Sequence, residues 1–450
     1  MNNDARYVAL EILCRWHNSG WPIDQVRDEF EPQSKLMDPR DWQLCMAMVY
    51  GVVRWLGYLD SVLADYSKQP LAKLKKEVLQ GLRIGLYQML FMDRIPVSAA
   101  VNETVKALKA ARQPRWITGY VNGLLRNIDR NRAKLPIPNG EDGGSMADHA
   151  LVSHPTWLFE RWTARYGREQ ALALCRKNNE LAILCLAALD RSRLINQLAE
   201  QGIRAEAGLF SPQAVYLPDY EGQVAEIPGF TEGLFQVQDE AAQLVVYFLH
   251  PLITGTYLDA CAGLGGKTGQ LARMLPAKAS LVAVEPNINR LKLLAENLHR
   301  LDLSSRVEIV EGTIESLPVD LISDKFAGIL VDAPCSGLGV VKRHPDIRWN
   351  RQPHDLVRFR QQQLALLDSA AALLMSDGIL VYATCSMEPE ENEEVVTEFL
   401  SSHPDFRLSS GRDFLPEQAK SLVDQQGFFK TRPDKNGLDG FFAARLEKIK

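Results

Sequence analysis

The chain has 450 residues, 46% hydrophobic and 24% charged, which are globular values that exclude a disordered or fibrous protein. At roughly 150 residues per domain, the length points to about three domains. The formal net charge of −5 does not advertise nucleic acid, yet residues 1–133 carry 19 Lys+Arg against 14 Asp+Glu, and such asymmetry can mark a nucleic-acid-binding module.

From residue 5 to 132 the apolar residues recur at helical spacing. ARYVALEILCRW, DWQLCMAMVYGVVRWLGYLDSVLADY and KEVLQGLRIGLYQMLFM each read as helix. Asp93–Val97 (DRIPV) is a turn, because Pro96 cannot continue the preceding helix. Further helices are predicted from Val101 to about Ala111 and over about Trp116–Asn131. No alternating strand pattern intervenes, so residues 1–133 are predicted to form an all-α domain. The stretch KLPIPNGEDGGSMAD is rich in Pro, Gly and acids. That is linker chemistry, placed at 134–149.

Residues 150–235 read as a small α/β unit. It comprises a helical WLFERWTARYGREQALALCRKN, an apolar run LAILCLAAL, a helix RLINQLAEQGI and a short strand AVYLP. From 236 to 450 strands and helices alternate. The strands are TYLDACAG, ASLVAVEP, RVEIVEGT, AGILVDAP and GILVYATC. Helices fall at about 266–275, 288–300, 355–375 and 389–401. Apolar runs of this length separated by helices imply a buried parallel sheet, doubly wound, with its ligands at the C-terminal strand ends.

No apolar run approaches the roughly 20 residues of a membrane span. The N-terminus lacks a basic start followed by an apolar core, so no secretory signal is read. The cysteines (Cys14, Cys45, Cys175, Cys185, Cys261, Cys335, Cys385) are scattered and show no CxxC spacing. Neither zinc nor a disulfide framework is expected, and a reduced, cytoplasmic, monomeric protein is. His344 and His354 have no recurring ligand partner, so no metal is assigned.

The first strand of the C-terminal region runs into LDACAGLGGKTGQLA. A phosphate loop would need glycine at position 261, where Cys261 stands. The dinucleotide pattern fails at Thr268. What remains is a tight glycine turn between strand and helix. Glu285 ends the second strand twenty residues past Gly265, a spacing suited to a carboxylate that accepts ribose hydroxyls. A nucleoside without pyrophosphate fits, namely S-adenosylmethionine. The helix start after Gly266 and Lys267 would receive its carboxylate, and Glu311, at the third strand end, would reach the adenine.

Asp332 and Cys335 follow the fourth strand and Cys385 the fifth. A free cysteine is usually a small buried hydrophobe. Two beyond adjacent strand tips, beside a carboxylate, suit methylation of a poorly nucleophilic carbon. A thiolate adding at C6 of a pyrimidine makes C5 nucleophilic, C5 takes the methyl group, and loss of the C5 proton expels the thiol. Asp332 would hold the base near N3. A thiol of ordinary pKa near 8.5 is only a few per cent ionised at neutral pH, a penalty of about 2 kcal/mol. The helix after Cys385, with Pro389 at its first position, is expected to aim its positive end at the site. The acids Glu388, Glu390, Glu391, Glu393 and Glu394 are read as complements to that helix dipole. The segment from Lys342 to Arg351 is basic and holds an aromatic, and Lys342, Arg343, Arg348, Trp349 and Arg351 suit RNA phosphates and stacking.

At these residues the chain resembles a known family. DAPCSGLGVVKRHPDIRWNR and YATCSMEPEENEE resemble the two cysteine motifs of the Sun (Fmu) family of RNA 5-methylcytosine methyltransferases. CAGLGGKT is similar to that family's methyl-donor loop, and FQVQDEAAQL and LDGFFAARL also match. ARYVALEILCRW, YGVVRWLGYLD and AAVNETVKALK resemble the NusB-type RNA-binding domain of its bacterial rRNA branch, RsmB. The resemblance implies a Rossmann-like class I methyltransferase domain behind a NusB-like domain and a small α/β domain. It implies Cys385 as nucleophile and Cys335 as the group that assists breakdown of the adduct. It implies that Cys261, Ala262, Gly263, Leu264, Gly265, Gly266 and Lys267, with Glu285, Glu311 and Asp332, bind S-adenosylmethionine. The implied substrate is a cytosine of 16S rRNA. A tRNA substrate and a non-catalytic RNA-binding assembly factor are the alternatives. Three departures stand out: Gly263-Leu264 in place of Ala-Pro, Glu285 and Glu311 where Asp is commoner, and Leu186-Ala187-Ala188-Leu189 without the usual Arg and Asn.

Overall fold

The computed structural model describes residues 4–140, 144, 146–251, 254–322 and 325–449. Within the predicted linker, 141–143 and 145 lie outside the described residues. Contacts divide the chain into two compact units, Met1–Glu180 with Val341–Gln352, and Leu181–Val340 with Pro353–Lys450. A short piece of the C-terminal region therefore belongs to the fold of the N-terminal one.

The first unit is helical. Its main elements are Ala5–Ser19, Pro39–Arg54, Leu56–Tyr66, Lys76–Phe91, Val97–Ala110 and Arg115–Arg130, followed by Thr156–Tyr166 and Arg168–Asn179. The Asp4 carboxylate caps the first helix by accepting the N–H groups of Arg6 and Tyr7. The long run from Asp41 to Tyr66 forms two helices, not one. It breaks at Trp55 (φ −101°, ψ 16°), whose ring stacks on Phe91 at 4.8 Å. Val8, Ile12, Val49, Val52, Leu82, Leu86, Val121 and Leu125 form a single buried core, the apolar stripes of the helices facing one another. Asn139 of the predicted linker is tied into this unit, accepting from Asn179 Nδ2 at 2.9 Å.

The second unit holds two sheets. Strands β1 (Leu184–Ala188), β2 (Glu206–Ala207), β3 (Ala214–Leu217) and β4 (Phe235–Val237) make an antiparallel sheet in the order β2-β3-β1-β4. Strands β5 (Thr256–Asp259), β6 (Ser280–Glu285), β7 (Val307–Glu311), β8 (Phe326–Asp332), β9 (Leu374–Thr384), β10 (Phe406–Ser409), β11 (Phe429–Lys430) and β12 (Phe442–Lys448) make the larger one. Its order is β10-β12-β9-β8-β5-β6-β7, with β11 paired to β12. The five expected strands are its parallel part, and three antiparallel strands complete one edge. Two buried clusters contribute to this unit's core, one with Leu244, Leu271, Leu281 and Val381, the other with Leu258, Val282, Ile329 and Tyr382.

This topology fixes the site. β5 lies between β6 and β8, so the strand order reverses there and opens a crevice at the C-terminal ends. Among the described residues no helix is long and apolar enough to cross a membrane.

Candidate active site

The glycine loop leaves β5 at Asp259 and enters the helix Gly266–Met274. Asp259 is buried and accepts from Thr268 Oγ1 at 2.7 Å, which pins the loop's two ends together. Burial, with Asp332 nearby, pushes its carboxyl up to about 6, although the Thr268 bond opposes the rise. Gly265 sits at φ 90°, and a Cβ there would come within 2.6 Å of Leu294 Cδ1. Only glycine makes this turn. Glu285, at the tip of β6, is buried and accepts the N–H groups of Gly263 at 3.1 Å and Asn287 at 2.9 Å. Glu311 stands opposite Glu285 in register but is exposed. Leu264 is half exposed, and Ala262 is buried against the sheet. Burial beside Asp259 and Asp332 pushes the Cys261 thiol up.

Lys267 is paired inside the crevice. Its Nζ lies 2.7 Å from Asp332 Oδ2 and 5.2 Å from the centre of the Phe441 ring, so its charge is committed inside the crevice. Burial opposes that charge, but Asp332 and the Cys385 sulfur outweigh it and raise the pKa.

The two cysteines converge because β8 and β9 are parallel neighbours in register, with Asp332 opposite Ala383. The ladder ends with Ala333 N–H donating to Ala383 O at 2.9 Å. Beyond it, Cys335 Sγ lies 3.1 Å from Cys385 Sγ. All seven cysteines are free. The contact with Cys385, then burial, then the charge of Glu391, push the Cys335 thiol well above its usual value. Gly339 passes under this pair and donates to Cys385 O at 3.0 Å. A Cβ on Gly339 would fall 1.9 Å from Gly440 O, so no other residue permits the approach.

The acidic run after Cys385 is the main correction within this unit. Pro389 does not open an α-helix; Pro389–Glu391 is one 3-10 turn, and the helix begins at Glu393. Glu391 and Glu388 are buried. The Glu391 carboxylate accepts Ser336 N–H at 2.7 Å and the Ser336 and Ser386 hydroxyls. It is no solvated dipole complement, and burial pushes its carboxyl up. Asp259 and Glu391 were legible only as members of motifs. The available signal was that a serine follows each cysteine directly.

The chain matches the family model described as 16S rRNA methyltransferase RsmB/F over residues 246–447, the NusB family model over 3–130, and an RsmF/B-like ferredoxin-like domain over 154–221. It is 35% identical to the probable ribosomal RNA small subunit methyltransferase B of Bacillus subtilis, over 99% of this chain and 98% of that protein. The chain belongs to the RsmB/F family. The ribosomal RNA small subunit methyltransferase B of Cronobacter sakazakii is 33% identical, over 95% of this chain and 96% of its own. Among solved structures, a methyltransferase homolog protein from Pyrococcus horikoshii superposes with a TM-score of 0.56 at 25% identity, over 67% of this chain and 98% of that one. The matched RsmB/F region holds the glycine loop, Glu285, Glu311, Asp332 and both cysteines.

The basic segment of the family motif behaves differently from expectation. Val341–Gln352 is part of the helical unit. Arg348 is fully buried and donates to Ser153 O, Asn178 O and, at 2.6 Å, Asn179 Oδ1. Desolvation lowers its pKa to about 9. The Trp349 indole N–H donates to Val53 O at 2.7 Å, and the ring packs over Gly57 and against the helical core. Arg348 is therefore a fold-holding residue, closed to RNA phosphates, and Trp349 is engaged in packing. Lys342 pairs with Glu180 at 3.3 Å. Arg343 and Arg351 are partly exposed.

Proposed function

We propose that this chain methylates C5 of a cytosine in 16S rRNA, with S-adenosylmethionine as donor, through a covalent bond between Cys385 and cytosine C6. The observation that carries the reading is the pair of thiols, 3.1 Å apart, at the ends of the strands beside the Lys267–Asp332 pair. The family membership and the names of the relatives support the rRNA substrate.

The residues present fit the donor. Gly263, at φ 57°, has open space where a Cβ would stand, and the Glu285 carboxylate is held in place by two backbone N–H groups. Glu285 would take the ribose hydroxyls, with the Cys261–Lys267 loop around the donor. Asp332 and, at the rim, Glu311 complete the set. When bound, the donor supplies an electrophilic methyl group. The chain does the rest. Cys385 adds to C6, which makes C5 nucleophilic. Asp332, charge-paired with Lys267, orients the base at N3. Loss of the C5 proton to solvent expels Cys385 as a thiolate, and the neutral Cys335 thiol beside it can hydrogen-bond and protonate that leaving sulfur as the adduct breaks down. Lys342, Arg343 and Arg351 remain candidates for RNA phosphate contact.

Bisulfite sequencing of rRNA and tRNA after gene deletion tests the substrate. The expected result is loss of one 5-methylcytosine from small-subunit rRNA. Loss of a tRNA mark with rRNA unchanged would reject it.

A further inference from the structure

The strands end before the cysteines do. β8 stops at Asp332 and β9 at Thr384, so the sheet alone does not hold Cys335 against Cys385. The Ser336 and Ser386 hydroxyls meet across the gap at 3.2 Å, and the Glu391 carboxylate ties both together. Glu391 Oε1 accepts Ser336 N–H at 2.7 Å and Gln363 Nε2 at 3.3 Å. Its Oε2 accepts the hydroxyls of Ser336 and Ser386, each at 2.5 Å. Ser336 follows Cys335 directly, and Ser386 follows Cys385 directly. Gln363 also donates to Pro334 O at 3.0 Å, on the other side of Cys335. The turn is itself anchored. Tyr382 Oη donates to Glu391 O at 2.5 Å, and Asn392 binds both Thr384 Oγ1 and Ser386 O.

We infer that Glu391 is a positioning residue for the transfer reaction, its carboxylate fixing the Cys385 loop against the Cys335 loop by clamping the residue after each cysteine. The inference rests on the covalent reading above. A carboxylate offers about four acceptor sites, and here four donors reach them, all from the two cysteine loops or the glutamine that braces one of them. A buried charge is a costly way to gain stability alone, since apolar packing does as well. A rigid two-loop clamp needs acceptors in two directions from one point. Glu391 acts through the serines.

The test uses the full chain in a Cys335→Ala background, where the covalent reading expects an RNA–protein adduct. Adduct formation rate and affinity for S-adenosylhomocysteine are measured together. Glu391→Ala should slow adduct formation at least tenfold and leave that affinity within twofold, because the loop bonds around Glu285 and Lys267 do not involve it. Glu391→Gln should recover most of the rate. Its carbonyl still accepts Ser336 N–H, and its amide can donate to the serine hydroxyls. An adduct rate in Glu391→Ala within twofold of the parent would overturn the inference. So would equal loss of rate and affinity with no recovery by Gln, which marks a general packing role. If Glu391→Ala does not fold, the Ser336→Ala/Ser386→Ala pair carries the test. A threefold or greater slowing at constant affinity supports the clamp, and an unchanged rate overturns it. Absence of adduct in the Cys335→Ala parent itself is a failure of the covalent reading, recognisable because it precedes any change at Glu391, and the inference falls with it.

Discussion

Lys267 Nζ sits 2.7 Å from Asp332 Oδ2, so the lysine of the glycine loop is bonded to the carboxylate at the end of β8. The charge is maintained in a mostly buried place because Asp332 and the Cys385 sulfur offset its desolvation. Replacing it by Met removes the cation paired with Asp332. Lys267→Met is expected to lower single-turnover methyl transfer about 100-fold, the size of one preorganised electrostatic contact. Lys267→Arg should recover little, since a planar fork does not replace a point charge. Transfer within threefold of the parent in Lys267→Met would mean that the pair is structural only.

Asp259 gives a pH-dependent prediction. Its carboxyl is raised from 3.8 to about 6, burial being the main cause. Between those values the folded state holds a proton that the unfolded state has lost. Stability from this group therefore falls as pH rises through about 6 and is level above it. Asp259→Asn removes the titration; its Oδ1 can still accept the Cys261 N–H, while its amide donates to Thr268 Oγ1 in place of accepting from it. It should stabilise at pH 7.5 by up to about 3 kcal/mol, the two-unit shift converted, with the gain shrinking toward zero near pH 4. Urea midpoints at both pH values measure this. A gain independent of pH would contradict the assignment.

Much of the catalytic unit was legible in the sequence. Its parallel strands are near-continuous apolar runs with helices between them, a pattern with few alternatives. The convergence of Cys335 and Cys385 followed from adjacent strand ends. The failures have a common physical cause. Arg348 and Glu391 carry full charges, and charged residues in loops or after a proline read as solvated. Both are buried, satisfied by acceptors or donors far away in sequence, such as Asn179 for Arg348 and Ser336 for Glu391. No local pattern announces such partners. β10 and β11 are four and two residues long, too short to show alternation.

Arg348 tests the corrected role of its segment. Arg348→Ala leaves Ser153 O, Asn178 O and Asn179 Oδ1 without their donor. It should destabilise the helical unit by about 3 kcal/mol, in the range for breaking a buried polar network. Arg348→Lys should recover less than half, because one ammonium cannot span the fork. Under conditions where each variant is folded, the salt dependence of RNA binding should match that of the parent. A slope reduced by about one would return Arg348 to the phosphate contacts.

The same segment carries a pH-sensitive contact. His344 Nδ1 lies 2.9 Å from Asp24 Oδ2. The bond to Asp24 raises the histidine pKa above 6.5, against burial. Burial would raise Asp24, but the bonds from His344 and Tyr50 outweigh it and hold its carboxyl at about 2. The histidine's contribution is full below 6.5 and fades as pH rises through its folded value. His344→Ala should therefore destabilise more at pH 6 than at pH 9, read from paired urea midpoints. An equal loss at both would show packing in place of charge.

The central claim, that Cys385 bonds covalently to the RNA base, is tested most directly by denaturing gel analysis after mixing labelled 16S rRNA and S-adenosylmethionine with Cys335→Ala and Cys385→Ala proteins. The account predicts a stable RNA–protein band with Cys335→Ala and none with Cys385→Ala. A band that persists when Cys385 is replaced would contradict it.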